Sequence, residues 1–105
     1  MTQKKDRLAM LEEMIASGNK DPFLRYARAM EIRARGDLDE ALDAYREVIA
    51  TNPEYVPSYL MAGQVATELG RFELARKILE AGIPRAQEAG DQRAVTELGA
   101  ALEEL

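Results

Sequence analysis

Cysteine and histidine are both absent from the 105 residues. Without cysteine there is no disulfide, no thiolate nucleophile and no thiolate metal site. Without histidine, the commonest general base and metal ligand is missing too. No apolar run approaches the roughly 18 residues that a membrane-spanning helix needs. The basic opening, M-T-Q-K-K-D-R, leads into an amphipathic pattern containing Glu12 and Glu13, whereas a secretory signal needs an uninterrupted apolar stretch and a cleavage site. The reading is a cytoplasmic protein with no membrane association. The seven glycines are scattered and form no phosphate-cradling loop. D-L-D-E at residues 37–40 lacks the spacing and central glycine of a calcium loop. The carboxylate pairs Glu12/Glu13, Asp37/Asp39 and Glu103/Glu104 fall at helix starts or on polar faces, where neither burial nor a cleft raises a pKa towards general-acid work. No catalytic residue, cofactor, metal or small-molecule substrate is expected, and the protein is read as a non-enzyme.

Charge narrows the partners. Fourteen Lys/Arg against 19 Asp/Glu give a net −5, which disfavours nonspecific nucleic-acid binding. The balance is uneven: residues 1–35 carry eight basic and five acidic side chains, and residues 36–105 carry six and fourteen. This is either the solvated face of helices or a basic surface awaiting an acidic partner or a second copy. Arg25, Arg28 and Arg35 share one helix face and form the basic stripe that an acidic protein, or more weakly an RNA, would use.

What is present is helical and periodic, with no strand pattern anywhere. Residues 36–53, G-D-L-D-E-A-L-D-A-Y-R-E-V-I-A-T-N-P, recur in outline 34 positions later. Gly36 is answered by Gly70, Leu38 by Phe72, Ala41 by Ala75 and Tyr45 by Leu79. Upstream, Ala29 is answered by Gly63 and Tyr26 by Leu60. Two helical patterns in a period of about 34 residues indicate a helix-turn-helix repeat. The expected units are an N-terminal helix within residues 6–18, repeat one at 22–55, repeat two at 56–89 and a capping helix at 91–105, all in one domain. Asp21-Pro22 and Asp91 open helices; Gly36, Gly70 and Gly90 close them. Ala29 and Ala41 would let two helices cross closely, and Gly63 implies a close approach to Ala75. Pro84 falls within a helical pattern, so either a kink near Gly82-Ile83 or a complete break is expected.

Gly36, Leu38, Ala41, Tyr45 and Pro53 stand where tetratricopeptide repeats place their turn glycine, large apolar residue, small crossing residue, aromatic and closing proline. The chain resembles that family over about residues 22–89. The resemblance implies an all-α fold, a short right-handed α-solenoid of antiparallel helix pairs. It also implies a protein or peptide partner bound on the concave face made by the first helix of each repeat. Carried onto this chain, the lining positions are Phe23, Tyr26, Met30 and Arg33, then Leu60, Gln64 and Thr67. Their helical spacing independently puts the first four on one face. The alternative is that neighbouring helices cover Phe23, Tyr26 and Leu60, or that a homodimer does. Some members clamp C-terminal carboxylates with Lys, Asn and Arg on this surface; the matching positions here hold Tyr26, Met30, Met61 and Gln64, so that clamp is not expected. Arg25 and Arg28 replace large apolar residues of the family pattern, which implies aliphatic stems lying along the core with their charges exposed.

Overall fold

The computed structural model describes residues 6–105, and among them every regular element is a helix. They run α1 Arg7–Ala16, α2 Pro22–Ala34, α3 Leu38–Thr51, α4 Pro57–Glu68, α5 Phe72–Glu88 and α6 Gln92–Glu103. The four starts with an aspartate cap are fixed by chemistry local to the chain. The Asp6 carboxylate accepts from the Leu8 amide at 2.9 Å, Asp21 from Phe23 at 3.0 Å, Asp37 from Glu40 at 3.2 Å and Asp91 from Ala94 at 3.0 Å. Each such cap satisfies a donor that the helix leaves open and contributes about 1 kcal/mol. The starts of α4 and α5 have no side-chain cap; α4 relies on Pro57 in its first turn, where the missing N–H costs nothing.

Gly36 and Gly70, one period apart, both adopt positive φ, at 89° and 77°. That conformation ends a helix and turns the chain back at once, and a residue with a Cβ would be strained there. The short turns return each helix against its predecessor, so neighbours in sequence pack as neighbours in space, and α6 also reaches α4. The result is a short α-solenoid of 50 × 28 × 20 Å.

The core follows the repeated stripe. Ala29 and Ala41 are fully buried where α2 crosses α3, and Leu42, Tyr45 and Val48 of α3 are closed off completely. Burying each of the larger side chains contributes about 1.5–3 kcal/mol. The crossing of α4 and α5 is tighter still. A Cβ placed on Gly63 would lie 2.4 Å from Leu79 Cδ2 and 2.6 Å from its Cγ. The nearest obstacle to a side chain at Gly63 is therefore Leu79, a neighbour that the pattern did not point to. One repeat apart, Ala29 has room for its methyl and Gly63 does not, because Leu79 occupies the space.

Pro84 neither breaks α5 nor shortens it: the helix is continuous from Phe72 to Glu88. Pro84 removes the amide that residue 80 would bond, and both residues lie on the exposed side of the helix. Beyond the proline, Ala86 is fully buried, and packing of this last turn holds it in helical register. Finally α6 brings Leu98, 1% exposed, over the α4–α5 pair and closes the apolar end face. At the other end, α1 covers α2 with Leu11 buried, while Met10 and Met14 remain exposed.

Candidate functional site

Alternate helices α2, α4 and α6 share one side of the solenoid, and two adjoining hollows open between them. The larger, about 440 Å³, is lined by Arg33 of α2, by Leu60, Gln64 and Thr67 of α4, and by Glu97 and Ala101 of α6. Leu79 reaches its floor from α5. The smaller, about 210 Å³, has Tyr26 on one side, Pro57, Leu60 and Met61 in the middle, and Ala94 and Glu97 on the other. Leu60 and Glu97 border both, so the two form one trough.

Of the seven lining positions expected from the sequence, Arg33, Leu60, Gln64 and Thr67 meet in the larger hollow, and Tyr26 joins Leu60 in the smaller. Phe23 and Met30 line neither. Met30 is half-buried and packs on the core. Phe23 is 46% exposed and stands at the margin, its ring centroid 6.5 Å from that of Tyr26. Tyr26 is the hub of an aromatic group: Tyr55 lies 5.4 Å away and Tyr45 5.8 Å away in an edge-on arrangement. Such pairs contribute about 0.5–1.5 kcal/mol beyond the area they bury, and they hold Tyr26 in place.

Polar groups around the trough are mostly engaged. The Arg33 guanidinium pairs with the Glu68 carboxylate and also approaches the Met61 sulfur at 3.7 Å, which ties α2 to α4. Thr67 donates to the Gly63 carbonyl within its own helix at 2.8 Å. Burial pushes the phenols of Tyr26, Tyr55 and Tyr59 up, and that of Tyr45 to about 12, so all four are neutral near pH 7. None is a poised base.

The α6 residues were missed by sequence reasoning, which treated that helix only as a cover. A signal existed: one more step of 34 takes Leu60 to Ala94 and Thr67 to Ala101, both of which line the trough. Helix α6 thus occupies the place of a first helix in the repeat, and Glu97 comes with it.

The arginine stripe is not a free basic surface. Arg25 pairs with Glu47 at 3.3 Å, Arg28 with Glu12 at 3.3 Å, and Arg35 with Asp6. The Arg35 guanidinium holds the Asp6 carboxyl below its ordinary pKa. Each arginine of the stripe is thus paired, although Glu12 and Asp6 belong to the same first third and only Glu47 offsets its excess of positive charge from outside. The stems of Arg25 and Arg28 do lie along the structure, with side chains only 27% and 24% exposed. Of the carboxylates considered for chemistry, Asp37 caps α3, Asp39 pairs with Arg71 and Glu12 with Arg28. Among the described residues, no group of three or more His, Cys, Asp or Glu could hold a metal ion. No helix among them is long and apolar enough to cross a membrane.

Residues 33–103 match the model of a family described as tetratricopeptide repeat. A tetratricopeptide repeat-containing protein of Pseudomonas aeruginosa is 26% identical over 95 residues, 90% of either chain. Human tetratricopeptide repeat protein 7B is 39% identical over 54 residues; these make up 51% of this chain, which spans 6% of that protein's length. The crystal structure of a tetratricopeptide repeat domain protein from Salinibacter ruber superposes with a TM-score of 0.76 at 34% identity, covering 80% of this chain and 94% of that one.

Proposed function

The chain belongs to the tetratricopeptide repeat family, and from that premise we propose that it is a non-catalytic scaffold of the cytoplasm whose concave trough receives a segment of another protein. Repeats of this kind generally mediate protein–protein contact. In this reading residues 22–55 and 56–89 are the two repeats, α1 is the second half of a degenerate one, and α6 supplies the third wall of the trough. One observation carries the reading: Tyr26, Leu60, Ala94 and Ala101 present apolar surface inside a hollow rimmed by Gln64 and Glu97. An apolar floor with a few hydrogen-bonding groups at its edge suits a peptide or helix laid into the groove. A carboxylate clamp is not part of this proposal, because Arg33, the guanidinium in the larger hollow, is already paired with Glu68.

Capture from an extract of the source cells tests it, with tagged wild type beside Tyr26→Ala/Leu60→Ala. Wild type should retain a defined partner that the double variant loses, with helicity by circular dichroism largely intact. Equal capture by both proteins would remove the trough from the proposal. Self-association is the second reading, favoured by the exposed Met10 and Met14 on the end helix α1. Light scattering over a concentration series decides it: a concentration-dependent, salt-insensitive dimer supports an apolar contact between copies, and a constant monomer rejects it.

A further inference from the structure

The walls of the trough differ in charge. The two hollows are lined by Arg33 of α2, Glu68 of α4, and Asp91, Arg93, Glu97 and Glu104 of α6 and its caps, an excess of two negative charges that falls on the α6 side. Both cations are already used. Arg33 pairs with Glu68, and Arg93 with Glu97 one turn away at 2.9 Å. Asp91 is tied at one oxygen to the cap of α6. Glu104, exposed at the open end of the larger hollow, pairs with no cation among the described residues. The negative wall is α6, and Tyr26 stands on the other side of the smaller hollow with α4 between them.

We infer that the occupant of the trough is a cationic amphipathic segment of a protein partner, an inference that rests on the function proposed above. Its apolar side chains would sit on Leu60, Ala94 and Ala101, and its Lys or Arg side chains would reach Asp91, Glu97 and Glu104. A guanidinium entering the smaller hollow meets the Tyr26 ring on one side and, on the other, Asp91 and Glu97, where it would displace the exposed Arg93 from Glu97. An acidic segment would meet the same wall with like charge, compensated only by Arg33 and Arg93, each already paired with a carboxylate, which is a penalty against the wrong partner.

The test uses the full chain and three fluorescein-labelled synthetic peptides: a two-heptad amphipathic helix of leucine and lysine, the same pattern with glutamate for lysine, and a lysine–serine peptide of equal charge. Anisotropy should show the leucine–lysine peptide binding at least about tenfold tighter than either of the others, because it alone offers both apolar side and positive charge. Glu97→Gln/Glu104→Gln should weaken it by about tenfold, the effect of two partly screened surface charges. Asp43→Asn/Glu80→Gln removes equal charge from exposed positions on α3 and α5 outside both hollows, and should change affinity by less than about twofold. Equal binding of the leucine–glutamate peptide, no binding of the leucine–lysine peptide, or equal losses from the two charge variants would each overturn the inference. If the charge dependence fails but Tyr26→Ala/Leu60→Ala still abolishes binding of either leucine peptide, the trough reading stands without its cationic occupant. If that apolar double variant binds the leucine–lysine peptide normally, both fall.

Discussion

Replacing glycine by alanine inside a helix ordinarily stabilises it by about 1 kcal/mol, because alanine restricts the unfolded chain and suits the helix better. Three helical glycines of this protein should answer the same change differently. At Gly99 in α6 nothing lies within 4 Å of the added methyl, so Gly99→Ala should gain about 0.5–1 kcal/mol. At Gly63 the new Cβ would lie 2.4 Å from Leu79 Cδ2 and 2.6 Å from Cγ. Leu79 is 1% exposed, and both its Cγ and its Cδ2 would have to shift towards the larger hollow, so overpacking of about 1–3 kcal/mol should outweigh the helical gain. Gly82 is worse placed. Its Cβ would meet Tyr59 Cβ at 2.6 Å and Leu98 Cδ1 at 3.1 Å. A Cβ cannot move without its backbone, so α4 and α5 would have to separate. The expected order of stability is Gly99→Ala, wild type, Gly63→Ala and Gly82→Ala, by urea and thermal denaturation followed at 222 nm. For a domain near 100 residues, each 1 kcal/mol moves Tm by about 4–8 °C. Shortening the obstacle supplies an internal check, since Gly63→Ala should cost less in a Leu79→Ala background than alone. Stabilisation by all three substitutions would refute the packing described at both crossings.

Ala41→Leu should lower stability by about 1–3 kcal/mol, since Ala41 is fully buried where α2 and α3 cross; an unchanged midpoint in urea would show that crossing to be loose. The Tyr45 hydroxyl is buried and makes no hydrogen bond of full geometry among the described residues, with the Arg33 guanidinium as a polar neighbour, so Tyr45→Phe should be neutral or slightly stabilising at pH 7. Burial raises the Tyr45 pKa from 10.0 to about 12, with the Tyr26 phenol adding to the rise and the Arg33 guanidinium opposing it. The unfolded chain therefore loses this proton first. The stability involved is complete below about pH 10 and declines as pH rises towards 12, by at most about 2–3 kcal/mol. Tyr45→Phe should flatten that alkaline decline, and an identical decline in both proteins would place the burial penalty elsewhere.

Much of the fold is legible because local chemistry and the long period agree. The Asp caps, Pro22 and the turn glycines mark the boundaries, while Ala29, Ala41 and Tyr45 mark the buried stripe that joins the helices of a pair. What local rules miss depends on which atoms meet at a distance. Gly63 signals a close approach, but only packing reveals that Leu79 fills the space. Pro84 argues for interruption, yet its place on the exposed side of α5 and the burial of Ala86 keep the helix whole. The stripe of Arg25, Arg28 and Arg35 looks free in one dimension, because the carboxylates that meet it come from Glu47, Glu12 and Asp6 on other parts of the chain. Met30 shares a helical face with Arg33 but not its environment: a face wide enough to line a groove also has an edge that belongs to the core.

Site-specific photo-crosslinking in the source cells tests the trough most directly, with benzoylphenylalanine at Gln64 on its wall and, separately, at Asp43 on the exposed side of α3. The account predicts a discrete protein adduct from position 64 and none from position 43, with the adduct lost when Leu60→Ala is added. Adducts from position 43 with none from position 64 would contradict it, and would move the partner to the outer helices.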